Sequence, residues 1–417
     1  MYRFKSPFVP FVALVAALAS SAPAFAVICT DAPPVFVTNV NQLFASGSRW
    51  RFNVYRYPCE GLVIHDAYYT PRFGTEYKVL YRASIAQIHV PYETGAPRFH
   101  DLTTSISGLG NNALSLAGGE CPGGVLYDGN RICKQLEDRG YAWKFGPQYQ
   151  RGQVVSVFMS SQLGQYNYVN QWNFQDDGVI EPRLGLTGRL QMIGSGAGYL
   201  PHGQRLDPEG GATPVVGISH NHNIYYRFDF DINGAANNAV DKITLQPSFD
   251  PSPDTSCATS GQCFVDVQTQ LLNETVDYLD PTAYTSWRIY NKATVNANGR
   301  AIGYELVPDL HGLWNGMVTA DEPWSSGELW VTHYNGCHLL AFDNHPPHIP
   351  AGCAGTEDNV TEMVGGAGSI DGEDVVVWYA SRFRHFPRDE DQDKMPIEYM
   401  SFTIQPRSFF HHNPVEP

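Results

Sequence analysis

Short apolar and aromatic runs recur along the chain, most of them bounded by Gly, Asn, Asp or Pro, while a 3.6-residue period is nearly absent. Examples are Val79-Leu80-Tyr81, Val154-Val155-Ser156-Val157-Phe158, Ile224-Tyr225-Tyr226-Arg227-Phe228-Asp229-Phe230 and Val375-Val376-Val377-Trp378-Tyr379. β-Branched and aromatic side chains suit a pleated surface, and the breakers set its ends. A chain written this way buries its apolar surface by stacking sheets. The expectation is therefore an all-β fold, a large antiparallel β-sandwich. Its 417 residues are ample for a large core, and no short repeat or Pro- or Ser-rich linker divides them. One domain over residues 27–417 is the simplest organisation. The stretch Gly336 to Ser369, poor in pattern and rich in Gly, Pro and His, reads as a long loop or arm.

Aromatic residues make up 13% of the chain and charged ones only 17%, which excludes a disordered chain. The net charge of −15 comes without a basic cluster, so nucleic acid is not an expected partner. An acidic surface keeps a protein soluble, and it also attracts cationic small molecules such as amines. The first residues read as a secretory signal peptide, 1–26. Arg3 and Lys5 supply the positive start, Phe8 to Ala19 an apolar run too short to span a bilayer, and Ala24-Phe25-Ala26 the small-x-small cleavage pattern. No later stretch suits a membrane helix, so a secreted protein, extracellular or periplasmic, is expected. Eight cysteines follow the leader. Near neighbours suggest Cys121 with Cys133, Cys257 with Cys263 and Cys337 with Cys353, leaving Cys29 and Cys59 for each other; sequence alone leaves this pairing open.

Three histidines bear on chemistry. His220-Asn221-His222 heads a β run, and residues two apart on a strand face the same way, so both imidazoles can reach one metal. His385 is the third, in Arg384-His385-Phe386-Pro387-Arg388. Imidazole suits Cu(II). Taken alone, an HxH pair on a strand is more often an exposed polar pair.

The surrounding sequence resembles the catalytic domain of the copper amine oxidases. The tail from Val376-Val377-Trp378-Tyr379 through His385-Phe386-Pro387-Arg388-Asp389-Glu390-Asp391 and Met395-Pro396 to Asn413-Pro414 is similar to that family's closing segment. Ser219-His220-Asn221-His222 with Tyr226-Arg227-Phe228-Asp229 resembles its HQH motif and R-x-D continuation. The resemblance implies the family's large sandwich, with copper held by His220, His222 and His385. It also implies a topaquinone cofactor made from a tyrosine. Gly164-Gln165-Tyr166-Asn167 matches the precursor motif, with Tyr166 as the precursor and with Gln165 and Asn167 where the family has Asn and an acid; their amides are expected to hydrogen-bond the tyrosine still.

Upstream, Val90-Pro91-Tyr92 places Tyr92 on the tyrosine that hydrogen-bonds the family's quinone. Anchoring on Gly108-Leu109-Gly110 puts Thr103 at the position of the catalytic aspartate. Threonine cannot abstract a proton near neutral pH. Asp101, which on a strand shares Thr103's face, is the replacement, with His100 a poorer one. Cys121 and Cys133 match the family's local disulfide. Asp229, Asp231 and Asp374 fall where it holds a peripheral Ca²⁺, an ion that carboxylates suit.

The function implied is copper- and quinone-dependent oxidation of a primary amine by O₂ to aldehyde, ammonia and hydrogen peroxide. The alternative is a copper-binding protein of this fold that has lost deamination or acts on another substrate. Family members also carry small domains ahead of the catalytic one, for which the chain has no room. They are homodimers with arms across the interface, and Gly336 to Ser369 is the candidate arm.

Overall fold

A computed structural model describes residues 36–104, 108–206, 215–248, 263–309, 322–366 and 368–416. The expected leader 1–26, Cys29 and Cys257 lie outside them. Two large sheets dominate. One runs, neighbour to neighbour, through Phe36–Leu43, Arg49–Tyr57, Gly61–Thr70, Tyr77–Pro91, His220–Phe230, Val375–His385, Leu329–His333 and Thr275–Asp277, with Arg98–His100 paired beside Tyr77–Pro91. The other runs through Cys263–Leu271, Asn238–Ser248, Ser286–Val295, Ala301–Val307, Thr403–Arg407, Ile180–Gly188, Tyr166–Gln175, Gln148–Leu163, Ile132–Phe145 and Val125–Tyr127, with Met395–Ser401 beside Ile180–Gly188. The strands pair antiparallel throughout, as in Tyr166–Gln175 with Gln148–Leu163 and in His220–Phe230 with both of its neighbours. All four strand-like runs of the sequence fall within these strands. Val360–Met363 is a single α-helical turn, in keeping with the missing helical period.

The sheets meet through large rings. Phe52 stacks on Phe174 at 4.1 Å, Trp172 meets Tyr226 and Phe228 edge-on at 6.2 and 6.1 Å, and Tyr379 meets Phe402 at 4.7 Å. Aromatic pairs of this kind contribute beyond the area they bury. One continuous core runs between the sheets, so the described residues form a sandwich.

The strand His220–Phe230 is buried at every position, which a strand covered on one face only would not be. Its second cover is the stretch expected to be an arm. Ala341, Val360 and Met363, with Trp324 just upstream, pack on Ala86, Tyr225, Val376, Trp378 and Ala380 on the outer face of the sheet. The backbone of Ala341 donates to Ala86 O at 3.1 Å, and the Cys337–Cys353 disulfide ties the layer. Gly336 to Ser369 is irregular, as expected, but its apolar residues are used against its own sheet rather than held clear of it. Cys121–Cys133 is also present, and Cys59 and Cys263 are disulfide-bonded.

Candidate functional site

Three neighbouring strands of one sheet and a hairpin of the other build the site. His220 and His385 are cross-strand partners, and Tyr92 bridges to His220 from the opposite side. Tyr166 opens its strand after a two-residue turn, Gly164-Gln165, since Leu163 pairs with Tyr166. Gly164 takes φ +59°, the left-handed region that glycine adopts without steric cost. Across the next pairing stands Gly188, where a Cβ would come within 2.4 Å of Gln165 O. Two glycines thus let the hairpin close tightly enough to aim Tyr166 inward.

The Tyr166 hydroxyl lies 2.7 Å from His220 Nε2 and 2.9 Å from His385 Nδ1, and His220 Nε2 lies 3.1 Å from His222 Nε2. Each of the three histidines offers one nitrogen, and these lie within 4.8 Å of one another. The remaining ring nitrogens are engaged: His220 Nδ1 with Ile218 O at 2.9 Å, and His385 Nε2 with Asp391 Oδ2 at 3.2 Å. Contacts of this kind set the tautomer and aim the free lone pair of a ligating imidazole. Burial, with His385 nearby, pulls His220 down to about 3, and burial with His220 nearby pulls His222 well below the ordinary range. Both rings are therefore neutral, as ligation requires. Three buried imidazoles with converging nitrogens, and a phenol oxygen among them, fit copper.

Beside the metal position lies a cavity of about 240 Å³, lined by Val90, Tyr92, Phe99, Leu163, Tyr166, Tyr168 and His222 among others. Asp101 lines it too. Its Oδ2 accepts a 2.6 Å hydrogen bond from Tyr168 Oη, which is 3.4 Å from His222 Nδ1. Burial pushes the Asp101 carboxyl up to about 6, against the Tyr168 hydrogen bond and His100, which pull it down. Tyr92 stacks on His220 at 4.4 Å and faces the same cavity.

Two expectations are corrected. Asp101 does not share Thr103's face: both sit in a turn, not a strand, and the Thr103 hydroxyl points away to Asp343 Oδ2 at 2.6 Å. The expectation of a shared face assumed extended backbone at 101–103, where the chain turns instead. Nor do Gln165 and Asn167 hold Tyr166. Gln165 is exposed in the turn, and Asn167 lies on the opposite strand face from Tyr166 and Tyr168. The tyrosine is fixed by the hairpin and the histidines instead.

The family model for the copper amine oxidase enzyme domain matches residues 40–416. The chain belongs to the copper amine oxidase family. It is 28% identical to the primary amine oxidase of Arthrobacter sp. (strain P1) over 397 residues, covering 88% of this chain and 58% of that protein. It is 28% identical to the histamine oxidase of Arthrobacter globiformis over 416 residues, covering 91% of this chain and 58% of that protein. The chain thus spans under two thirds of the length of these copper amine oxidases. A copper-containing benzylamine oxidase from Hansenula polymorpha superposes with a TM-score of 0.71 at 19% identity, over 98% of this chain and 64% of that one. The Aspergillus nidulans amine oxidase gives 0.72 at 16% identity, over 98% and 56%. At such identities the superpositions establish the shared fold.

Within this member of the family, sequence reasoning passed over Tyr168 and Asp391. Tyr168 was findable, since it stands two residues from Tyr166 and so shares its strand face. Asp391 lay in the quoted tail motif, but its contact with His385 depends on the 3-10 turn Asp389–Asp391. Asp229, Asp231 and Asp374 do come together, within 4.8 Å. Lys78 Nζ pairs with Asp231 at 2.7 Å, while Asp374 Oδ1 is buried without a hydrogen-bond partner. Burial, then repulsion from Asp229 and Asp231, pushes Asp374 up to about 6.

Proposed function

We propose that the chain is a copper- and quinone-dependent primary-amine oxidase, converting RCH₂NH₂, O₂ and H₂O to RCHO, NH₃ and H₂O₂. The observation that carries this reading is the Tyr166 hydroxyl set between His220 Nε2 and His385 Nδ1, with the Asp101 carboxyl in the adjoining cavity. Copper held by His220, His222 and His385 would supply, with O₂ as the oxidant, the redox chemistry that makes a quinone of Tyr166, and that quinone would supply the two-electron acceptor for the amine. Asp101 is the base for the α-proton: its raised pKa lets it take a proton near neutrality and release it again. Tyr168 holds the Asp101 carboxylate by its hydrogen bond. Tyr92 walls the cavity and, stacked on His220, keeps that ring from shifting. A copper protein without deamination is the less favoured reading, because its main ground, a missing carboxylate base, is met by Asp101.

Three further points belong to this proposal. Asp229, Asp231 and Asp374 hold Ca²⁺, the charge for which Asp374 lacks a partner. The protein is secreted to an oxidising compartment, in keeping with the leader and the disulfides. It forms a homodimer, for which the hairpin of Ile132–Phe145 and Gln148–Leu163, with exposed Tyr141, Phe145 and Tyr149, is a better arm than Gly336 to Ser369.

The deciding experiment adds Cu²⁺ in air to metal-free protein and follows the visible spectrum with a quinone-specific redox stain, then assays peroxide from a panel of primary amines. A quinone band and peroxide are expected, and Tyr166→Phe is expected to abolish both. Copper bound in stoichiometric amount with neither signal would establish the alternative.

A further inference from the structure

Glu322, His89, His100 and Arg98 gather on the far side of the sheet from the metal position. Glu322 meets His100 Nε2 at 3.1 Å through Oε1 and His89 Nε2 at 3.1 Å through Oε2, and Arg98 pairs with the same carboxylate. Two imidazoles and a carboxylate are a set that metals use. The contacts here are those of a hydrogen-bonded clamp. Asn223 Nδ2 donates to His89 Nδ1 at 3.3 Å, so Nε2 is the protonated nitrogen and donates to Glu322. Arg98 already neutralises the carboxylate.

What the clamp grips is the short strand Arg98–His100, whose next residue is Asp101. Beyond Asp101 the chain is gripped again. Thr103 Oγ1 donates to Asp343 Oδ2 at 2.6 Å and accepts from Gln87 Nε2 at 3.1 Å. The residues flanking Asp101 are therefore tied outward to Glu322 and to Asp343 of the covering layer. Between these two ties Asp101 turns inward, to Tyr168.

We propose that Glu322 and Asp343, acting through His100 and Thr103, are positioning residues that hold Asp101 against Tyr168 in the cavity. The proposal rests on the reading of Asp101 as the base. A proton acceptor displaced by 1 Å costs about 10²-fold in rate, so a turn this short needs fixing from outside.

The test uses the full chain, loaded with copper, as Thr103→Val and Glu322→Gln. Thr103→Val removes one hydroxyl and no charge. It is expected to lower kcat per quinone about tenfold with copper and quinone content unchanged. The acid limb of the kcat/KM profile is expected to move to higher pH. Asp101 faces Tyr168, Tyr92, Tyr166 and His222 around the cavity and His100 beside it; of these, the Tyr168 hydrogen bond is the one that a slipped turn would loosen, and it holds the Asp101 pKa down. Crystal structures of the metal-free variants are expected to show Asp101 out of hydrogen-bond reach of Tyr168, which a purely structural role would not require. Should Glu322→Gln fail to fold, Thr103→Val decides. An unchanged Asp101–Tyr168 contact with unchanged kcat per quinone and pH profile in the folded variants would overturn the proposal. Full turnover per quinone in Asp101→Asn would instead sink the reading of Asp101 as the base.

Discussion

Asp101, the proposed base, shows how burial can suit a single carboxyl to taking a proton near neutrality. Burial raises its pKa from 3.8 to about 6, so the ionised form, which a base needs, predominates only above that value. Turnover is expected to fall about tenfold per pH unit below about pH 6, which a pH series of kcat/KM checks. The same shift acts on stability with the opposite sense. The folded state binds the Asp101 proton more tightly than the unfolded state does, so this residue's contribution to stability is present at low pH and is lost as pH rises through about 6. Asp101→Asn is accordingly expected to lose at least 10²-fold in kcat/KM while its Tm at neutral pH rises by a few degrees, as calorimetry would record. Chemistry was only partly legible at this scale. That His220, His222, His385 and Tyr166 come together could be expected from motif and strand periodicity. The side on which Asp101 and Thr103 fall could not, because a turn rather than a strand separates them, and turn geometry has no two-residue period.

At the scale of elements, the strand runs were readable because β-branched and aromatic residues mark a pleated surface directly. Their register was not. The meeting of His220 with His385 depends on which residues of two strands lie opposite, and a slip of one residue would turn every side chain of the slipped strand to the other face. The role of Gly336 to Ser369 was equally hidden, since an irregular covering layer carries no period, and its apolar residues mean something only once the sheet beneath them is known. The strand Tyr166–Gln175 links core and site: Tyr166 and Tyr168 reach the cavity, and Trp172 is fully buried between the sheets. Trp172→Ala is expected to cost about 3–5 kcal/mol, measured by denaturant unfolding, and to lower quinone yield along with it, because the hairpin that aims Tyr166 is anchored there.

For the molecule as a whole, the acidic surface and the sandwich were both evident from composition and pattern, whereas assembly was not. The exposed ring cluster at the hairpin tip has Tyr141 against Tyr149 at 5.8 Å with Phe145 80% exposed, and an apolar tip of this kind usually marks a contact surface. If the proposed homodimer forms through this tip, Phe145→Asp combined with Tyr149→Asp is expected to leave a monomer in light scattering at micromolar concentration, with copper binding retained. A dimer that persists in this variant would place the interface elsewhere.

The pairing of His220 with His385 has one more consequence. The donor set draws on two strands in one register and on a tyrosine delivered by the facing sheet, so it exists only in molecules whose sandwich has closed correctly. Metal stoichiometry then becomes a census of assembly: a preparation with half an equivalent of copper after saturation holds about half its chains in the wrong register or still open, whatever its spectrum of secondary structure says.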